Sequence, residues 1–211
     1  IATEATDFAL KQAPDHFGCH VYPVHRLDRA TSGLLLLALD PETASCLGQA
    51  FQTREVEKRY LAVVRGWPPD EGSIDRPLRK VNMSRKKAAS AETQPAQTRY
   101  RRLASAELPV TISGYPTTRL ALVEAIPETG RTHQIRRHFK SIDHPIVGDT
   151  NYGDSRYNRY FREAFACHRL LLAATHLRFL HPHTGQPLAL HCPPDSSFRN
   201  ALRQIGLVSP L

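Results

Sequence analysis

Six consecutive apolar residues, Leu34 to Leu39, lie between Gly33 and Pro41. A run of that length, closed by a turn residue and a proline, predicts a buried β-strand. Ahead of it stands His25-Arg26-Leu27-Asp28-Arg29-Ala30-Thr31-Ser32-Gly33, which sets one carboxylate between two arginines and ends on a turn-forming Thr-Ser-Gly. Fixed positive charge favours the ionised form of an aspartate. Such an aspartate is a poor general acid but serves as a nucleophile or general base, and a loop at a sheet edge is where catalytic groups tend to sit. The same Arg-Asp-Arg pattern equally describes a surface ion pair of little energetic worth.

The length of 211 residues, 41% hydrophobic and 23% charged, suits a single globular domain spanning 1–211. No apolar run approaches the roughly 18 residues of a membrane span. The first residues have neither the basic start nor the apolar stretch of a secretion signal. A soluble, cytoplasmic protein is expected.

The net charge is +8, and the cations are grouped. Nine Lys or Arg fall between Arg76 and Arg102 against one acid, Glu92. A second group, Arg131, Arg136, Arg137 and Lys140, contains no acid. Stripes of this kind fit a polyanion better than a small neutral substrate. The four cysteines, Cys19, Cys46, Cys167 and Cys192, form no C-x-x-C pair, which argues against a zinc ribbon or a disulfide framework. His181-Pro182-His183, near His191 and Cys192, reads as a polar turn because it lacks metal-ligand spacing. No metal is expected.

Local patterns predict a helix over 2–13 ended by Pro14, a helix from Pro41 to about Thr53, and a strand over Lys58–Arg65. Residues 68–95, poor in apolar side chains, read as a mobile basic excursion. Further strands are expected at Gln97–Leu103, Thr117–Ala125, Leu170–Phe179 and Pro187–His191, with helices at Asp154–Phe165 and Ser196–Ile205. After Pro127-Glu128-Thr129-Gly130 the period changes, and His133, Arg136, Arg137 and Lys140 take helical spacing on what reads as an outward basic face.

Four segments in order, His25-Arg26-Leu27-Asp28-x-x-Thr31-Ser32-Gly33, Lys58-Arg59-Tyr60, Thr129-Gly130-Arg131-Thr132-His133-Gln134-Ile135-Arg136-x-His138 and His144-Pro145-Ile146-x-Gly148-Asp149, together resemble the RluA-type pseudouridine synthases. Gly114-Tyr115-Pro116-Thr117-Thr118-Arg119 and Gly153-Asp154-x-Arg156-x-Asn158-Arg159 point within that family to the bacterial branch acting on uridine 65 of tRNA. The resemblance implies an α/β (α+β) pseudouridine synthase fold: a bent, mainly antiparallel mixed sheet with flanking helices and a central RNA-binding cleft. It implies isomerisation of a flipped uridine in RNA, with no cofactor and by a monomer.

By position, Asp28 matches the family's catalytic aspartate, Tyr60 the active-site tyrosine whose ring can stack on uracil and whose hydroxyl can assist proton movement at C5, and Arg136 the partner of the aspartate. Ile135 would line the base pocket, and Arg26 would help fill the space the base vacates or, alternatively, bind a backbone phosphate. Arg29, Arg131, His133, Arg137 and Lys140 are the expected RNA contacts. The family's Asn-Lys-Pro-x-Gly segment upstream of the Asp motif has no counterpart in these 211 residues. Other readings are an rRNA-directed synthase and a non-catalytic RNA-binding or ribosome-assembly protein. A glycosidase would need a second carboxylate.

Overall fold

The computed structural model describes residues 12–81 and 92–207. Helical residues 12–17 (α1) are followed by β1 (Tyr22–Pro23), β2 (Ser32–Gly33), β3 (Leu37–Ala38) and α2 (Pro41–Gln52). Next come β4 (Glu57–Arg65), β5 (Glu71–Asp75), β6 (Leu78–Arg79), β7 (Thr93–Gln94), β8 (Gln97–Leu108) and β9 (Thr118–Pro127). The chain continues through α3 (Gln134–Ser141), α4 (Ser155–Phe165), β10 (Leu172–Leu180), β11 (Pro187–His191) and α5 (Ser196–Gln204).

The principal sheet runs β11-β10-β4-β9-β8-β5 and is antiparallel along that path, with β2 added parallel to β10. Strands β4 and β9 at its centre are buried on both faces, which is why Leu61-Ala62-Val63-Val64 and Leu120-Ala121-Leu122-Val123 are continuously apolar instead of alternating. On one face Ala62, Val64, Val123 and Ala125 meet Ile135 and Phe139 of α3. On the other, Leu61, Val63 and Leu122 meet Phe161 of α4 and Phe198 of α5. Phe139, Phe161 and Phe198 are fully buried, each contributing about 1.5–3 kcal/mol of hydrophobic transfer. A third cluster seats α2, through Leu47, against Leu177 and Phe179 of β10.

The helices begin where their sequences dictate. Asp40, Asp154 and Asp195 each cap a helix by accepting a backbone N–H, from Thr43, Arg156 and Phe198 respectively. Pro41 occupies the first turn of α2, where its missing N–H costs nothing.

Several expectations are corrected. The run Leu34–Leu39 is not a buried strand. Leu34 N donates to Ala174 O at 3.0 Å, extending the pairing of β2, but from His176 onward that edge of β10 belongs to β11. The run therefore leaves the sheet. Leu36 N turns to His25 Nε2 at 2.8 Å, and only Leu37–Ala38 pair, with Tyr22–Pro23. Leu39 is exposed.

Pro14 does not end the first helix, which continues to residue 17 and stops at Gly18, whose φ is +67°; residues 2–11 of that expected helix lie outside the described residues. The stretch 68–95 is partly built into the fold, since β5 is the sheet's edge strand and β6 pairs with β7; residues 82–91 lie outside the described residues. Strand β8 runs to Leu108, with a register shift between Arg102 and Ala104. The first basic stripe is also less naked than its sequence. Lys80 pairs with Glu92, Arg99 with Glu128, Arg101 with Glu124 and Arg102 with Asp70.

Candidate active site

The loop carrying Asp28 is tied to the sheet through Gly33. Its φ is +108°, and a Cβ there would lie 2.0 Å from Ala174 O. Only glycine permits so close an approach. Upstream, Thr31 N bonds Asp28 O at 2.8 Å and closes the turn. His25 anchors the other end, accepting from Leu36 N and stacking on Phe51 with ring centroids 4.6 Å apart. Burial, reinforced by the charge of Lys58, lowers its pKa to about 4, so the ring is neutral at pH 7 and fit to accept.

The facing wall is the turn into α3. His133 occupies the left-handed region at φ 54° and gives α3 no side-chain cap, a conformation costly for a non-glycine residue and common at functional sites. The turn is held by Gln134. Its Oε1 accepts from Thr129 Oγ1 and Arg131 N, and its Nε2 donates to Gln97 O and Thr98 Oγ1. His138, also fully buried, bonds Thr98 Oγ1 at 2.9 Å and Arg76 O at 3.1 Å.

Here Asp28 meets two side chains from a distant part of the sequence. Arg136 Nη1 lies 3.7 Å from Asp28 Oδ2, and His133 Nε2 lies 4.0 Å from Oδ1. Arg136 is aimed by a second carboxylate: Nε and Nη2 bind the two oxygens of Asp149 at 2.7 and 2.8 Å. Asp149 Oδ1 also accepts from the backbone N–H groups of Asn151 and Tyr152. Burial opposes both charges, yet these bonds prevail: Arg136 is held above its ordinary pKa and Asp149 below its own. Tyr152 completes the group, with its hydroxyl 3.0 Å from His133 Nδ1 and its ring 5.2 Å from the Arg136 guanidinium. Burial together with Arg136 and Arg26 outweighs the neighbouring carboxylates and lowers the His133 pKa.

A cavity of about 500 Å³ opens beside this cluster. Arg26, Asp28, Tyr60, Arg131, Ile135 and Leu172 are among its lining residues. Tyr60 supplies an aromatic face, and burial plus the charge of Asp28 push its hydroxyl pKa far up. Ile135 is both a wall of the cavity and a member of the core. Of the other expected RNA contacts, Arg137 lies outside the cavity lining and donates to Arg79 O at 3.0 Å. Lys140 and Arg29 are exposed and also outside the lining. The outward basic face expected for α3 is therefore divided, because Arg136 is only 5% exposed and points inward. Asp149 and Tyr152 carried no assigned role in the sequence; the Gly-Asp of the fourth motif was the available signal for the first of them.

A family model described as RNA pseudouridylate synthase matches residues 2–141. A protein of Vibrio cholerae named tRNA pseudouridine synthase C is 45% identical over 204 residues, covering 95% of this chain and 84% of that protein. One of the same name from Pectobacterium carotovorum is 48% identical over 200 residues, and this chain spans 53% of its length. Among solved structures, human RNA Pseudouridylate Synthase Domain Containing 4 superposes with a TM-score of 0.72 at 26% identity, covering 98% of this chain and 85% of that one. Human RNA Pseudouridylate Synthase Domain Containing 1 gives 0.68 at 27% identity over 87% and 73%. The matched family model takes in the Asp28 loop, Tyr60 and the helix bearing Arg136, and the chain belongs to the RNA pseudouridylate synthase family.

Proposed function

We propose that this chain converts uridine to pseudouridine in tRNA, with Asp28 as the catalytic group. The observation that carries the reading is the placement of the Asp28 carboxylate against Arg136 at the wall of a cavity lined by Tyr60 and Ile135. The relatives named tRNA pseudouridine synthase C support tRNA as the substrate, and the position we assign is uridine 65.

In the reaction the N1–C1′ bond breaks, the uracil turns while bound, and C5 bonds C1′. The C5 hydrogen leaves as a proton and N1 ends protonated. Asp28 supplies the negative charge, at the sugar or the base, that permits cleavage. Arg136 holds that carboxylate in place and Asp149 holds Arg136. Tyr60 offers its ring to the extruded base, for which stacking offsets part of the few kcal/mol that extrusion costs. Ile135 closes the pocket, while Arg26 and Arg131 at its mouth face the RNA backbone. Arg29, His133, Arg137 and Lys140 extend that positive surface. We assign a monomer acting in the cytoplasm without a metal or cofactor.

The test is to incubate the chain with tRNA lacking the modification and map pseudouridine along it. Appearance at position 65 supports the assignment. Appearance only in rRNA fragments would favour the rRNA reading. RNA binding with no conversion of any RNA would favour a non-catalytic binding protein.

A further inference from the structure

The cavity contains a cationic region that the chemistry at Asp28 leaves unused. Lys58 and Arg54 both line it. Lys58 lies two residues from Tyr60 on β4, so both side chains leave the same face of the strand about 7 Å apart. The other cations of β4 have carboxylates: Arg59 pairs with Glu57 at 2.6 Å and Arg65 with Asp154 at 3.0 Å. Among the described residues, neither Lys58 nor Arg54 has a carboxylate within 4.0 Å. The ammonium of Lys58 instead sits 5.9 Å from the centroid of Phe51. Burial, and then the charge of Arg54, lowers its pKa. Lys58 is partly buried and Arg54 is exposed, and two like charges lining one cavity favour an anion between them. A neutral carbonyl offsets little of their repulsion, whereas an anion relieves both charges.

We infer that Lys58 and Arg54 form the receptor for a backbone phosphate flanking the nucleotide whose base stacks on Tyr60. This assignment rests on the isomerase reading for its ligand. The Lys58 contact fixes how far the strand enters, so that a base on Tyr60 and its phosphate on Lys58 are gripped from one face of β4. The cation–π contact with Phe51 holds the ammonium in position, since Phe51 belongs to α2 and is stacked on His25.

The experiment uses RNA substrates carrying a neutral methylphosphonate at the linkage 5′ or 3′ to the target uridine, with dissociation constants measured for the parent chain and for Lys58→Gln. The parent is expected to lose roughly 10- to 100-fold in affinity at one of the two linkages, the range for a charge-assisted hydrogen bond. Lys58→Gln is expected to lose a similar factor on unmodified RNA and nothing further on that methylphosphonate. Lys58→Arg should restore most of the affinity. Arg54→Gln, at an exposed position after α2, provides the same cycle if Lys58→Gln does not fold. Losses that multiply, or a parent indifferent to both methylphosphonates, would overturn the receptor. Tritium release by the parent from the unmodified RNA is read in parallel. Its absence alongside intact coupling would count against the isomerase reading while upholding the phosphate contact.

Discussion

Arg136 and Asp149 are joined by two parallel hydrogen bonds of 2.7 and 2.8 Å in the protein interior, and this pairing leaves Nη1 of the arginine 3.7 Å from the carboxylate of Asp28. The guanidinium fork is rigid and planar, so fixing one edge fixes where the other points. Asp149 thus fixes where Arg136 stands beside Asp28.

Asp149→Asn should keep the side-chain volume while weakening that grip. Displacing a reacting group by about 1 Å can cost on the order of 10²-fold in rate. The turnover number is expected to fall by that order while KM changes little, because the cations proposed to face RNA are untouched. A drop confined to KM would contradict the positioning role.

Tyr60 is expected to contribute its ring, not its ionisation. Burial and then Asp28 drive its hydroxyl pKa well above the usual value near 10. A pH–rate profile should therefore show no inflection assignable to this residue up to about pH 10, and Tyr60→Phe should retain more activity than Tyr60→Leu. Equal loss in both variants would locate the essential feature in the hydroxyl.

The Asp motif was legible as a site because Asp28 stands among cations in an otherwise turn-rich segment. Of its partners in the structure, Arg136 follows only from the family resemblance and His133 not at all, because both come from the start of α3, more than a hundred residues away, and no local pattern places a buried arginine against a buried Asp149. The central strands and their flanking helices were readable from apolar runs and caps. The Leu34–Leu39 run misled because a strand needs a free edge, and β11 occupies the one beyond Ala174. Charge counting likewise overlooked Glu124, Glu128 and Asp70, which come from elsewhere in the chain to neutralise arginines of β8.

Acid should loosen the Asp28 loop through His25. With its folded pKa near 4 against an ordinary 6.5, His25 takes up a proton less readily folded than unfolded. Its stabilising effect is complete above about pH 6.5 and is lost as pH falls toward 4, a change of about 3 kcal/mol. Denaturant melts at pH 7 and pH 5 should show a larger pH effect for the parent than for His25→Phe. Parallel behaviour of the two would contradict a buried, neutral His25.

Gly33→Ala meets both a positive φ and the carbonyl of Ala174. Strain of this kind costs about 3 kcal/mol, which for a chain of this size lowers Tm by roughly 6–12 °C. A calorimetric scan showing an unchanged Tm would mean that the loop is not pinned to β10.

Release of tritium from RNA containing 5-tritiated uridine, compared between the parent chain and Asp28→Asn with RNA affinity measured alongside, bears most directly on the role of Asp28. Release by the parent, abolished in the variant while affinity holds within a few-fold, is the expected result. A variant as active as the parent would contradict the role given to Asp28.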